Sequence, residues 1–183
     1  NADANFNNTS TGNFYIADNS SGNQFNGKTT FNNSGTGADV RMMITESTGS
    51  ACTFNDDVTI INGGSTDGFV RFNLRGSSVF NGNILVSSTC GVTSNYGICF
   101  GWPGYSGSST LANGKTISAP AGTFTKGNLF LGNFTQTGTT PQNIRLNGNA
   151  LLNIYSGTTF NGSLNAISPG IQLNGGIFNG ASA

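Results

Sequence analysis

"SSVFNGNILVSSTCG", residues 77–91, decides how this chain reads, because its frame returns as "GTTFNGSLNAISPG" at residues 157–170. "STLANGKTISAP" at 109–120 keeps the same frame with Leu111 in place of Phe. Self-similarity of this kind marks repeat architectures. The pair Phe-Asn recurs at Phe6-Asn7, Phe25-Asn26, Phe31-Asn32, Phe54-Asn55, Phe72-Asn73, Phe80-Asn81, Phe160-Asn161 and Phe178-Asn179. Taking Phe6, Phe25, Phe54, Phe80, Leu111, Phe160 and Phe178 as unit starts gives units of roughly 18 to 31 residues, within the usual span of structural repeats, apart from the 49 between Leu111 and Phe160.

Downstream of each start lies a short apolar-x-apolar stretch: "FYI" (14–16), "VRM" (40–42), "VRF" (70–72), "ICF" (98–100), "LFL" (129–131) and "IQL" (171–173). Period-two alternation is the signature of a strand. In "VRFNLR" it predicts Val70, Phe72 and Leu74 inward and Arg71, Asn73 and Arg75 outward. "IRL" (144–146) reads as a connection between units. Clusters such as "NSGTG" and "YSGSS" supply turns, and no ten-residue stretch keeps a helical apolar period. Two strands per unit are expected.

Composition narrows the alternatives. Gly (28), Asn (27), Thr (22) and Ser (20) make up more than half of 183 residues. Such a mixture ordinarily favours disorder, but the 14 Phe are spaced regularly between the polar runs. In a solenoid, equivalent residues of successive coils stack about 4.8 Å apart, so Phe falls over Phe and Asn over Asn. The expected fold is therefore an all-β, single-domain parallel β-solenoid (β-helix) of roughly seven coils over residues 1–183, with a Greek-key β-sandwich as the alternative. Phe6, Phe25, Phe54, Phe80, Phe160 and Phe178 are the expected core column. Asn7, Asn26, Asn55, Asn81, Asn161 and Asn179 are either a hydrogen-bonded ladder or turn residues.

Residues 109–180, from "STLANGKTISAP" through "NFTQTG" and "TTFNG" to "GGIFNG", resemble a repeat module of very large secreted surface proteins of Bacteroidota, cargo-like for the type IX secretion route. "FNGKTTFNNSGTGADV" and "SSVFNGNILVSSTCGV" fit the upstream part of that module. The resemblance implies an extracellular structural or adhesive role and names no catalytic residue. Such proteins carry many modules, whereas this chain holds one.

Seven basic residues balance seven acidic ones and histidine is absent. That leaves no field to hold nucleic acid, and no apolar run approaches the roughly 20 residues a membrane span needs. No secretory signal opens the chain, which implies a signal already removed or an excised start. Cys90 and Cys99 are a candidate disulfide with Cys52 left over, or all three are buried hydrophobes.

An enzyme acting on polysaccharide needs clustered carboxylates. The acidic residues are Asp3, Asp18, Asp39, Glu46, Asp56, Asp57 and Asp67. Of these Asp56 and Asp57, with Arg71 or Arg75, are the best catalytic candidates. Nothing joins them into a motif, so no catalytic residue, metal site or cofactor is assigned. Trp102 and Tyr105 in "FGWPGYSGSS" are the candidate contact for a glycan or partner.

Neither end carries a capping helix, and an uncapped solenoid exposes strand edges that accept another strand. The functional expectation is a non-enzymatic subunit of an extracellular or cell-surface filament, self-assembled head to tail. The alternative is a glycan- or surface-binding adhesin module from a larger repeat protein.

Overall fold

The computed structural model describes residues 2–37, 40–64, 68–90 and 97–180. These form 21 strands, with no helix among the described residues. The first coil is β1 (Ala4–Asn8), β2 (Phe14–Ile16) and β3 (Asn23–Phe25); the second is β4 (Thr29–Asn33), β5 (Arg41–Ile44) and β6 (Ala51–Phe54). The third is β7 (Val58–Asn62), β8 (Phe69–Phe72) and β9 (Ser77–Phe80); the fourth is β10 (Ile84–Ser88), β11 (Ile98–Phe100) and β12 (Ser108–Leu111). β13 (Ile117–Ala119), β14 (Asn128–Leu131) and β15 (Phe134–Gln136) form the fifth coil, and β16 (Gln142–Arg145), β17 (Leu151–Tyr155) and β18 (Thr159–Phe160) the sixth. The seventh is β19 (Leu164–Ile167), β20 (Gly170–Asn174) and β21 (Ile177–Phe178).

First strands pair with first strands, second with second and third with third, giving three seven-stranded sheets, here A, B and C. The pairing is parallel throughout, so the chain is a parallel β-solenoid of seven coils and not a sandwich. Each coil holds three strands instead of the expected two, and "IRL" contributes to β16 rather than to a connection. The coils are unequal: hydrogen-bonded partners one coil apart are 18 residues apart at Asn161 and Asn179 and 33 apart at Asn83 and Thr116.

Two kinds of corner bend the chain. After β2, β5, β8 and β11 a single residue takes a left-handed conformation: Ala17 (φ 53°), Thr45 (54°), Asn73 (61°) and Gly101 (72°). One such residue turns the strand sharply from sheet B toward sheet C, and it is costly for anything but Gly, Asn or Asp. The second corner, from sheet C to sheet A, is the Phe-Asn-Gly motif. A Cβ at Gly82 or Gly162 would collide with the backbone of the preceding coil, at Asp56 and Thr139 respectively. Gly is used there because two coils approach backbone to backbone. Phe-Asn-Gly is thus a corner between two sheets and not a hairpin.

The interior is built from columns. In sheet C the inward register runs Phe25, Phe54, Phe80, Leu111, Gln136, Phe160, Phe178. Leu111 stands in for Phe as the sequence indicates, while the column breaks at Gln136, whose ring position is supplied by Phe134 two residues earlier. Phe6 is not in this column. It lies in sheet A over Phe31, stacked at 5.3 Å, and meets Phe25 edge-on at 5.7 Å. A third pair, Phe72 and Phe100, stacks at 5.3 Å in sheet B. One continuous core runs from Ile16 to Leu164.

Val70 and Phe72 are buried as predicted, but the alternation stops there. Asn73, expected outward, is buried in the left-handed corner, where it donates to Ser109 Oγ at 2.6 Å and accepts from Ser78 Oγ at 2.7 Å.

Candidate functional site

Of the nine exposed large hydrophobic side chains among the described residues, six lie in the first or the seventh coil, the two ends of the stack. At the seventh coil Ile167, Ile171, Leu173 and Ile177 are exposed, Leu173 by 62%. A cavity of about 280 Å³ opens there, lined by Leu152 and Ile154 of the sixth coil and Leu164, Ala166, Ile171, Leu173 and Phe178 of the seventh. At the first coil Phe6 and Phe25 are only partly buried, and Phe14 and Tyr15 are exposed. One end is a hole and the other a set of rings.

Asparagine ladders run along the solenoid toward these ends. Asn55 Nδ2 donates to Asn26 Oδ1 at 2.7 Å, Asn81 Nδ2 to Asn55 Oδ1 at 2.9 Å, and Asn179 Nδ2 to Asn161 Oδ1 at 2.7 Å. These Asn residues are therefore both corner and ladder. Asn161 donates instead to Gln136 O, since the ladder is interrupted at Ala112 and Thr137. Asn7 accepts from Asn32 at 3.2 Å in sheet A, apart from the others. In each of these Asn pairs the later residue donates to the earlier one. A second, buried ladder escaped sequence reasoning: Asn8 donates to Asn33 and Asn33 to Asn62, both at 3.2 Å. Its spare protons go to backbone carbonyls, including Val40 and Gly68.

The outer face of sheet B was expected to be solvated, and it is largely covered. Its register places Met43, Arg71, Cys99, Phe130 and Asn153 in one row. Arg71 Nε donates to Glu46 Oε1 at 3.0 Å, and a second bond joins Nη2 to Glu46 Oε2. The guanidinium groups of Arg41 and Arg71 each lie 5.1 Å from the ring centre of Phe69, a cation–π arrangement. Arg71 is thus a buttress, not a free catalytic base.

Trp102 and Tyr105 are brought to this face by the β11–β12 loop. They have different neighbours. Tyr105 is 40% exposed with Arg75 over its ring at 5.1 Å. Trp102 packs on Phe130 at 5.3 Å, and Phe130 stacks on Tyr155 at 5.9 Å. Trp102 separates two depressions. One, of about 250 Å³, also meets Arg41, Phe69, Arg71, Leu74 and Tyr105. The other, of about 190 Å³, is shared with Asn128, Phe130, Leu151, Asn153, Tyr155 and Gln172.

The acidic candidates do structural work. Asp57 Oδ1 accepts from Asn83 N at 2.8 Å, Asp56 Oδ1 from Asp57 N, Asp18 Oδ1 from Ser47 N and Asp3 Oδ1 from Lys28 N. Asp39 and Asp67 lie outside the described residues. No group of three or more potential metal ligands occurs among the described residues. The candidate disulfide is not formed: Cys52, Cys90 and Cys99 are all buried, and none is in a disulfide. Cys99 is held in β11 between Arg71 and Phe130, while the Cys90 thiol faces Gly68 O at 3.6 Å. Burial pushes the Cys99 thiol up to about 12 and that of Cys52 up to about 11.

No helix among the described residues is long and apolar enough to cross a membrane. Comparison with family models, with curated proteins and with solved structures gives no match.

Proposed function

We propose that this chain is a non-enzymatic structural subunit of an extracellular or cell-surface filament, in which the first coil of one copy stacks on the seventh coil of the next. The observation that carries the reading is the fit of the two ends. Continuing the register by one coil sets Phe6 over Ala166, Ile16 over Leu173 and Phe25 over Phe178. An apolar cavity of about 150 Å³ accepts a benzene ring, so the 280 Å³ hole at Ala166 has room for the Phe6 ring. Ring columns and strand edges then pass from copy to copy.

Polar groups continue as well. Asn179 uses only its Nδ2 in the ladder and Asn26 only its Oδ1. Asn26 Nδ2 of the incoming copy therefore meets Asn179 Oδ1 with the polarity of every rung below it. The contact is heterologous and does not close, which makes fibres rather than rings. Zero net charge removes the repulsion that would oppose it. The resemblance to modules of secreted Bacteroidota surface proteins supports the extracellular setting.

Electron microscopy of the purified chain at high concentration tests this. Seven coils at about 4.8 Å predict an axial repeat near 35 Å. Ala166→Trp, which fills the hole on an open surface, should abolish the fibres and leave the melting temperature of the monomer within a few degrees. A monodisperse monomer for the unaltered chain, or fibres that persist in Ala166→Trp, would overturn the proposal.

A further inference from the structure

A second feature, independent of the ends, lies on the outer face of sheet B. In β17, Leu152 and Ile154 belong to the core, so Asn153 between them points to the opposite face. It is 1% exposed, and neither its Nδ2 nor its Oδ1 has a hydrogen-bond partner. Native proteins rarely leave a buried amide wholly unpaired, because each orphan group costs free energy that an apolar side chain of the same shape would not. Of the buried side-chain polar atoms among the described residues, only Ser88 Oγ shares this condition. Asn153 lines a depression.

The walls of that depression specify a chemistry. Trp102, Phe130 and Tyr155 form a continuous row of rings, with centroids 5.3 and 5.9 Å apart. Asn128, Asn153 and Gln172 supply amides, and no charged side chain lines the site. Amides offer donors and acceptors together, the same dual capacity that a hydroxyl has. Ring faces are electron-rich and attract the weakly positive C–H face of a saturated ring. Its volume of about 190 Å³ exceeds the roughly 150 Å³ that holds a six-membered ring. We infer that this depression is a subsite for one ring of a neutral saccharide, in which the Asn153 amide bonds the sugar hydroxyls and Trp102 covers the ring. The sequence pairs Trp102 with Tyr105, and the two do share the neighbouring depression; Trp102 also reaches this second one, with Phe130, Tyr155 and Asn153.

Trp102 is the only tryptophan in the chain, so its fluorescence reports this site directly. Titration with cellohexaose, xylohexaose, mannohexaose and chitohexaose should give a saturable change with at least one of them. Asn153→Leu should weaken that binding at least tenfold while the melting temperature holds or rises, and Tyr105→Phe, in the neighbouring depression, should leave it unchanged. Four results would each overturn the inference: no saturable response to any of the four sugars, undiminished binding by Asn153→Leu, weakened binding by Tyr105→Phe, or equal affinity for the polyanion alginate.

Discussion

Coils two to four and coils five to seven are made of the same three strands, yet they are filled differently. In the first group Phe54 stacks between Phe25 at 5.0 Å and Phe80 at 5.1 Å, nearly parallel to both, and meets Phe31 and Phe72 edge-on. In the second group the column is interrupted by Gln136, and Phe134, which supplies the ring there, lies tilted against Phe160 at 6.0 Å. Leu129, Leu131, Leu152 and Ile154 take up the volume. A solenoid tolerates this exchange because each coil answers only to its neighbours. The repeat conserves where a side chain points more strictly than which side chain it is.

The strongest way to break the comparison is to cut both columns. Phe54→Ala removes a ring held on four sides and should cost about 4–5 kcal/mol, toward the top of the range for buried Phe. Phe160→Ala should cost nearer about 3 kcal/mol, since its described ring neighbours are only Phe134 and Phe178, both at 6.0 Å. Urea unfolding of the two variants measures the difference. Equal losses would show that ring stacking adds nothing to the area buried.

The two asparagine ladders give a smaller but cleaner contrast. Asn33 is fully buried and bonds to Asn8, Asn62 and Val40 O. Asn33→Ala strands those groups away from water and should cost about 2–3 kcal/mol. Asn55 makes the same side-chain bonds at the surface, where water replaces a lost partner. Asn55→Ala should cost less than about 1 kcal/mol, read in the same urea titration. If the surface ladder proves as costly as the buried one, the amides are cooperating along the stack.

How much of this was readable beforehand follows from which faces are wet. The "FYI", "VRM", "VRF", "ICF", "LFL" and "IQL" stretches all fall on sheet B strands because each is short and bounded by polar or turn residues. The sheet B strand of the sixth coil, "LLNIY" at 151–155, is not legible in the same way. It reads as an apolar run because Leu152 and Ile154 fill the core while Asn153 is buried on the other face. Two-sided burial erases alternation. The same burial hides the role of Arg71, an outward residue by pattern that is covered and paired by contact. Phe6 falls outside the column that its dipeptide predicts because Phe-Asn occurs in sheet A as well as sheet C. Dipeptides carry no label for the sheet they belong to. The buried ladder of Asn8, Asn33 and Asn62 left only a weak trace, the doubled Asn at 7–8 and 32–33. The saccharide subsite left less, since Trp102, Phe130 and Tyr155 are brought together only by coil-to-coil register.

Alkali offers the finest test, because all three cysteines lie in coils two to four and none lies in coils five to seven. Burial raises the folded Cys52 thiol to about 11 and the Cys99 thiol to about 12, whereas an unfolded thiol ionises near about 8.5. Below that value both states hold the proton and stability does not change. Above it the unfolded chain sheds protons that the folded chain keeps, so the folded state binds more protons and stability falls as pH rises. The fall flattens once pH passes the folded values. One unit above the unfolded value, each thiol should have withdrawn about 1 kcal/mol. Hydrogen exchange at pH 8 and pH 10 reads the outcome coil by coil. Coils two to four, the better packed group, should lose protection faster with pH than coils five to seven, after correction for the intrinsic exchange rate. The Cys52→Ala, Cys90→Ala, Cys99→Ala triple variant should remove that selectivity, because Ala has no proton to lose. If the selectivity survives in the triple variant, thiol ionisation is not its source, and the alkaline weakness belongs to the packing itself.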